Sequence, residues 1–136
     1  MIWNTSRIWG DGMFKVNDDL SIYATRGDTI FLGVTADYNG SPYKFKDGDI
    51  VRVNIFEKKD CKCVVLRKEF PAVAGEEVVH IVLNGDETKL GEYISKPKDY
   101  WYEIELNPDT KPQTIVGYDE DGAKVFRLFP EGGELA

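Results

Sequence analysis

The chain has 136 residues, of which 42% are apolar and 30% are charged, so a wholly disordered protein is excluded. A chain of this length fits one domain that buries roughly two thirds of the surface its unfolded form would expose. The formal net charge is -7, from 24 acidic and 17 basic residues. This acidity disfavours nucleic acid as a partner, because nucleic-acid binding depends on neutralising phosphates.

The apolar runs of the sequence are short, and none approaches the roughly 20 residues that a membrane-spanning helix needs. Residues 1–9 also lack the continuous apolar stretch of a secretory signal. We therefore expect no membrane partner and a chain that stays in the compartment where it is made.

Apolar residues alternate with polar ones in short segments that are separated by glycine, proline, asparagine and aspartate. Regularly spaced short strands of this kind are typical of sandwiches and barrels. The sequence predicts an all-β fold, an immunoglobulin-like β-sandwich of about seven to nine antiparallel strands with an N-terminal arm. The eight predicted strands are residues 20–24, 30–36, 50–57, 61–70, 77–83, 100–106, 114–118 and 125–129.

Alternate positions within these strands predict which residues form the core, because successive side chains of a strand point to opposite faces. The predicted core residues are Ile30, Leu32, Val34, Ala36, Val51, Val53, Ile55, Val79, Ile81, Leu83, Tyr100, Tyr102, Ile104 and Leu106.

Turn chemistry predicts how some strands pair. Strand 50–57 is expected to form a hairpin with strand 61–70 across a short polar connection, and strand 20–24 to lie beside strand 30–36. Arg26-Gly27-Asp28 joins the latter two; this tripeptide also occurs in adhesion proteins that bind integrins, but a turn is the favoured interpretation.

The last two strands are separated by Asp119-Glu120-Asp121-Gly122, which suits a type I turn followed by a G1 bulge. The resulting hairpin would place Val116 opposite Phe126 and Thr114 opposite Leu128. A short helical turn is plausible only between residues 86 and 98, where Gly91 could end it.

The predicted domain organisation is an N-terminal arm (residues 1–18), a β-sandwich domain (residues 19–129) and a C-terminal tail (residues 130–136). The arm is rich in large apolar residues that follow no consistent period, so we expect them to be buried against a partner. For the tryptophans, burial in the core of the protein is an alternative to burial in an interface, and the sequence favours neither. The interface candidates are Trp3, Ile8, Trp9, Phe14 and Trp101.

A search for catalytic and ligand-binding motifs predicts no catalytic residue, no cofactor and no metal site. Cys61 and Cys63 lie two residues apart in a predicted strand and are expected to be buried or half-buried thiols. His80 alternates with strand valines and lacks a visible partner for acid–base chemistry. Glu103 and Glu105 could serve as paired carboxylates of a hydrolase, but a solvated strand face explains them better.

Several short motifs resemble the N-terminal β domain of tailed-phage baseplate upper proteins. The resemblance begins with Arg26-Gly27-Asp28-Thr29, the apolar strand that follows, and Asn39-Gly40-Ser41-Pro42-Tyr43 before residues 51–56. It continues in residues 100–106 and in Thr114-Ile-Val-Gly-Tyr118, so that it spans residues 19–129.

Two departures from that family accompany the resemblance. Asp99 occupies a position where the family usually has glycine, and no fibre-like domain follows. The resemblance implies an immunoglobulin-like sandwich in a structural protein of a phage or prophage, and leaves its position in the particle open.

We therefore expect a non-enzymatic structural or adaptor module that is assembled in the bacterial cytoplasm and resides in the virion. Its expected partners are itself, as a homo-oligomer, and other virion structural proteins. The alternative function is a carbohydrate-binding sandwich in which Trp101 and nearby tyrosines stack on sugar rings.

Overall fold

A computed structural model describes residues 3–11 (backbone only), 14–38, 40–60, 63–91, 94–117 and 122–131. It confirms the predicted all-β sandwich and contains all eight predicted strands. The elements of the described residues are β1 (Trp3–Asp11), β2 (Lys15–Val16), β3 (Ile22–Thr25), β4 (Ile30–Tyr38), β5 (Ser41–Pro42), β6 (Ile50–Phe56), β7 (Val64–Pro71), β8 (Val79–Leu83), α1 (Gly85–Thr88), β9 (Lys98–Leu106), β10 (Gln113–Val116) and β11 (Lys124–Phe129).

The strands form two open sheets. In the smaller sheet β4 is central, with β1 on one side and both β5 and β8 on the other. The larger sheet has the order β2-β3-β11-β9-β6-β7, and β10 also pairs with β9. Among the described pairings only that of β11 with β3 is parallel.

The core lies between the two sheets and contains every residue that alternation predicted for it. Burial of these apolar side chains is the main favourable contribution to folding. Tyr102 and Phe126 meet edge to face with ring centroids 6.5 Å apart. The Tyr102 hydroxyl donates a hydrogen bond to the Leu20 carbonyl, so the polar group of this buried side chain is satisfied.

The last two strands do not form the predicted hairpin. Instead both pair with β9, so that Val116 lies opposite Ile104 and Lys124 opposite Tyr102. β10 and β11 therefore continue one another along the same side of β9, because its nine residues offer a longer edge than either short strand. Gly122 has the expected positive φ of 68°, while residues 118–121 lie outside the described residues.

Of the two other pairing predictions, one is confirmed and one is wrong. The hairpin of β6 with β7 is confirmed, with Ile50 opposite Pro71 and Phe56 opposite Val64. The expected pairing of β3 with β4 is wrong, because the two strands lie in different sheets. A tight turn between strands permits either a hairpin or a crossing to the facing sheet.

The segment predicted as an N-terminal arm is in part a strand of the sheet. β1 pairs antiparallel with β4 over most of its length, and Trp9 lies opposite Gly33. A register shift between Trp3 and Ser6 breaks the alternation from which a strand would be recognised. Phe14 is half-buried and packs against the core.

Arg26-Gly27-Asp28 forms the turn that the sequence favoured, and this turn has a structural role. Arg26 is 6% exposed, and its guanidinium donates to the carbonyls of Leu90 (3.3 Å) and Gly91 (2.9 Å). The same group lies 3.5 Å from the Glu131 carboxylate. Arg26 thus joins the β3–β4 turn to the segment after α1 and to the chain beyond β11.

The helix α1 occurs where a helical turn was expected, but it begins earlier. The backbone N–H of Asn84 donates to Glu87 Oε1 at 2.9 Å, which fixes the first turn. No helix among the described residues has the length and apolar character needed to cross a membrane.

Replacing Gly122 by valine should lower the free energy of unfolding by about 1–2 kcal/mol, because a β-branched residue tolerates positive φ poorly. A Cβ atom at this position meets nothing within 4 Å, so the cost comes from the backbone alone. Gly122→Asn is the control, since asparagine tolerates this conformation better. Chemical denaturation measures both, and equal midpoints for valine and glycine would contradict the positive φ.

Candidate functional site

The outer face of the larger sheet carries three of the residues that the sequence singled out. Trp101, Glu103 and Glu105 alternate along β9 with the core residues of that strand, and all three are partly exposed. Trp101 lies opposite Phe56 of β6 and Val125 of β11.

The two glutamates are held by a buried amide. Asn54 is 1% exposed, and its Nδ2 lies 2.6 Å from Glu105 Oε1 and 3.3 Å from Glu103 Oε1. Arg67 Nε donates to the other end of that amide, Asn54 Oδ1, at 2.7 Å. The Asn54 amide thus donates to both carboxylates, and the positive charge of Arg67 partly offsets their negative charge.

Burial, and then the negative charge of Glu105, raises the pKa of Glu103 above its usual range, while Asn54 and Arg67 oppose the shift. A hydrolase needs the substrate between its two carboxyl groups. Here the Asn54 amide nitrogen occupies that position and bonds to both. The arrangement therefore suits a structural network better than a catalytic pair.

Ion pairs cover much of the rest of this face. Arg52 binds Glu69 at 2.6 Å and Asp109 at 2.9 Å. Arg127 binds Asp99 at 2.6 Å and lies over the Tyr23 ring at 4.9 Å from its centroid.

The edge strand β7 is a second candidate site. It pairs with β6 on one side, and it ends the strand order of the larger sheet. Val64 and Val65 are 45% and 36% exposed. Lys68 Nζ bonds to the Val82 carbonyl (2.9 Å) and to Glu87 (2.6 Å), which fixes this edge against the smaller sheet.

The third candidate is a cleft of about 450 Å³ at one end of the sandwich, which we call the tyrosine cleft. Its residues come from the end of β4, the β5–β6 segment and the β9–β10 turn. They are Tyr38, Tyr43, Lys46, Asp49, Leu106, Asn107, Thr110, Lys111 and Gln113.

The Asp49 carboxylate, 7% exposed, organises the floor of the tyrosine cleft. It accepts hydrogen bonds from the Tyr43 hydroxyl (2.8 Å), the Lys46 backbone N–H (2.9 Å) and Asn107 Nδ2 (2.9 Å). Asn107 Oδ1 in turn accepts from the Ile50 N–H at 2.8 Å. These bonds join residues 43–50 to Asn107, which is far away in sequence.

Folding shifts the pKa values of both ionisable side chains in this network, Asp49 and Tyr43. Burial alone would raise the pKa of Asp49, but the hydrogen bonds from Lys46, Asn107 and Tyr43 hold it below its ordinary value. Burial, together with the hydrogen bond to Asp49 and its negative charge, raises the pKa of Tyr43 to about 12. At neutral pH the carboxylate is therefore charged and the phenol is protonated.

The structure does not bring the predicted interface residues together in one site. Trp3, Ile8 and Trp9 lie in β1 of the smaller sheet, whereas Trp101 lies on the larger one and Phe14 packs against the core. Sequence reasoning missed the tyrosine cleft, because its lining is discontinuous in the chain.

The expected pair of buried thiols is not supported at Cys63, which is exposed and has a φ of 60° before β7 begins. Cys61 lies outside the described residues. Within the described ranges no cluster of three or more histidine, cysteine, aspartate or glutamate residues could hold a metal ion.

No protein-family model matches the chain, and no curated protein matches it. Among solved structures, it is similar to part of a β-glucuronidase from Parabacteroides merdae, with 11% identity and a TM-score of 0.39. The alignment covers 93% of this chain and 13% of that one. A likeness at this score supports no function.

Replacing Glu103 by glutamine should raise stability at neutral pH by a few tenths of a kcal/mol, after allowance for solvent screening. A carboxyl whose pKa is raised by folding contributes stability below its unfolded pKa and loses it as pH rises. The gain should therefore disappear in acid. Glu105→Gln is the matched control and should not stabilise, because it weakens the 2.6 Å bond to Asn54. Thermal melts at acid and neutral pH test both variants, and destabilisation by Glu103→Gln at neutral pH would contradict the account.

Replacing Asp49 by asparagine should destabilise the protein by roughly 1–3 kcal/mol, because an amide nitrogen would face donors that the carboxylate now accepts from. A lowered folded pKa contributes stability above the unfolded value, near 3.8, and loses it as pH falls. The variant should therefore lose less stability than the parent between about pH 5 and pH 2. Equal acid dependence in urea titrations would show that Asp49 is not tied into this network.

Proposed function

We propose that the chain is a non-enzymatic structural or adaptor module of a tailed phage or prophage, which assembles into the tail or baseplate through protein–protein contacts. The observation that carries the proposal is the long open edge at β7, with Val64 and Val65 exposed beside it. Open strand edges pair with strands of other chains unless they are blocked.

The β7 edge suits strand addition. The backbone groups on the side away from β6 can bond to an incoming strand, while the exposed valines provide apolar contact. Because Lys68 anchors the strand to Val82 and Glu87, this edge is held in place before a partner arrives. A preorganised edge reduces the entropy cost of association.

The turn Arg26-Gly27-Asp28-Thr29, where the resemblance to baseplate upper proteins begins, also has a structural role. Thr88 Oγ1 accepts a hydrogen bond from the Gly27 N–H (3.0 Å) and donates one to the Asp28 carbonyl (2.7 Å). Together with the Arg26 contacts, these bonds fix the turn against α1. The motif therefore supports a structural module whose turns are rigid.

The rival functions have less support from the geometry. Trp101 is only partly exposed and has strand neighbours on both sides, which limits it as a platform for a sugar ring. Glu103 and Glu105 share one amide, as described above. The proposed partners are accordingly other copies of this chain and other virion proteins, in particles assembled in the bacterial cytoplasm.

Mass spectrometry of gradient-purified particles from an induced culture of the encoding bacterium tests the proposed location. We expect peptides of this chain to co-sediment with tail proteins, at a constant ratio across the particle fractions. Their absence from purified particles would contradict the virion assignment.

A double substitution, Val64→Lys with Val65→Lys, tests the proposed edge, because lysine on an edge strand opposes pairing. We expect loss of self-association by light scattering, or loss of incorporation into particles, with an unchanged melting temperature. Val73→Lys is the control, since Val73 is 64% exposed but lies outside the strand. Normal assembly of the double variant would rule out β7 as the assembling edge.

A further inference from the structure

The tyrosine cleft is not used by the proposed edge-to-edge assembly, and its size and chemistry are those of a ligand site. Small-molecule sites typically occupy about 300–1,000 Å³ and combine aromatic walls with a few placed polar groups. The cleft has a volume of about 450 Å³ and lies between the end of β4 and the β9–β10 turn.

One wall of the cleft is aromatic and supported from behind. The Tyr38 and Tyr43 rings lie 6.3 Å apart at an angle of 54°. Tyr43 also packs edge to face on Phe45, which is 2% exposed, with centroids 5.3 Å apart. Because the Tyr43 hydroxyl is bonded to Asp49, this ring is fixed at both ends.

The polar side chains that line the cleft include two cations, Lys46 and Lys111. The oxygens of Asp49 already accept three internal hydrogen bonds, and Asn107 is bonded at both ends of its amide. In the part of the chain that the structure describes, neither Lys46 nor Lys111 forms an ion pair. Both ammonium groups add positive charge to this cleft in a chain with a net charge of -7, and the charge of Lys46 also helps to hold the pKa of Asp49 low.

We infer that the tyrosine cleft binds an anionic saccharide, a sugar whose ring carries a carboxylate or a phosphate. The C–H face of a sugar ring packs on aromatic side chains, and the two lysines neutralise the acidic group. Nucleic acid is disfavoured by the overall negative charge. This inference does not depend on the proposed assembly at β7, because the two sites share no residue.

Calorimetric titration tests the inference with four probes: digalacturonate, lactose 1-phosphate, uncharged lactose, and inorganic phosphate with acetate. We expect binding of the two acidic saccharides, weaker or no binding of lactose, and affinities that fall as salt rises. Backbone amide shifts in NMR spectra should map the bound saccharide to Tyr38, Lys46, Lys111 and their neighbours.

The double variant Lys46→Gln with Lys111→Gln should bind the acidic saccharides about tenfold more weakly, with an unchanged melting temperature. Lys44→Gln is the matched control, because Lys44 is exposed nearby but does not line the cleft. Equal binding of lactose, or equal binding by the double variant, would overturn the inference. So would binding of phosphate and acetate as tight as that of the saccharides.

Discussion

The structure depends on β9, which is paired along both of its edges and buried on one face. β6 pairs with one edge, and β11 and β10 share the other. Tyr100, Tyr102, Ile104 and Leu106 bring the same strand into the core. Because a slip of one residue would move these four side chains to solvent, their burial fixes the register of four strands at once.

The eight strands could be predicted from sequence because most of them alternate between more buried and more exposed positions, as β8 does along its whole length and β9 does from Asp99 to Leu106. β1 could not, since its register shift interrupts the alternation and its position depends on the backbone edge that β4 offers. The prediction of a terminal hairpin was wrong for a related reason. Gly122 adopts the positive φ that its turn chemistry implies, but local conformation did not decide whether the flanking strands would pair with each other or with β9.

The candidate sites were harder to predict than the fold. Glu103 and Glu105 were visible as a pair on one face, but their partner Asn54 comes from another strand and makes the pair structural. The tyrosine cleft combines residues from three separate segments around Asp49. Its only sequence signal is an aromatic and lysine content near glycine and proline turns, which many surface loops share. The polar networks on the sheet faces and the open edge at β7 can therefore be recognised only in the three-dimensional structure.

Amide hydrogen exchange on the monomeric chain at low concentration tests this organisation most directly, because exchange reports how firmly each backbone group is held. The account predicts that the amides of β9 exchange most slowly, at rates set by global unfolding. It also predicts that alternate amides of β7, those directed away from β6, are among the fastest in any strand. Uniform protection along β7, or exchange in β9 as fast as in β7, would contradict a sandwich built on a central β9 with an open edge.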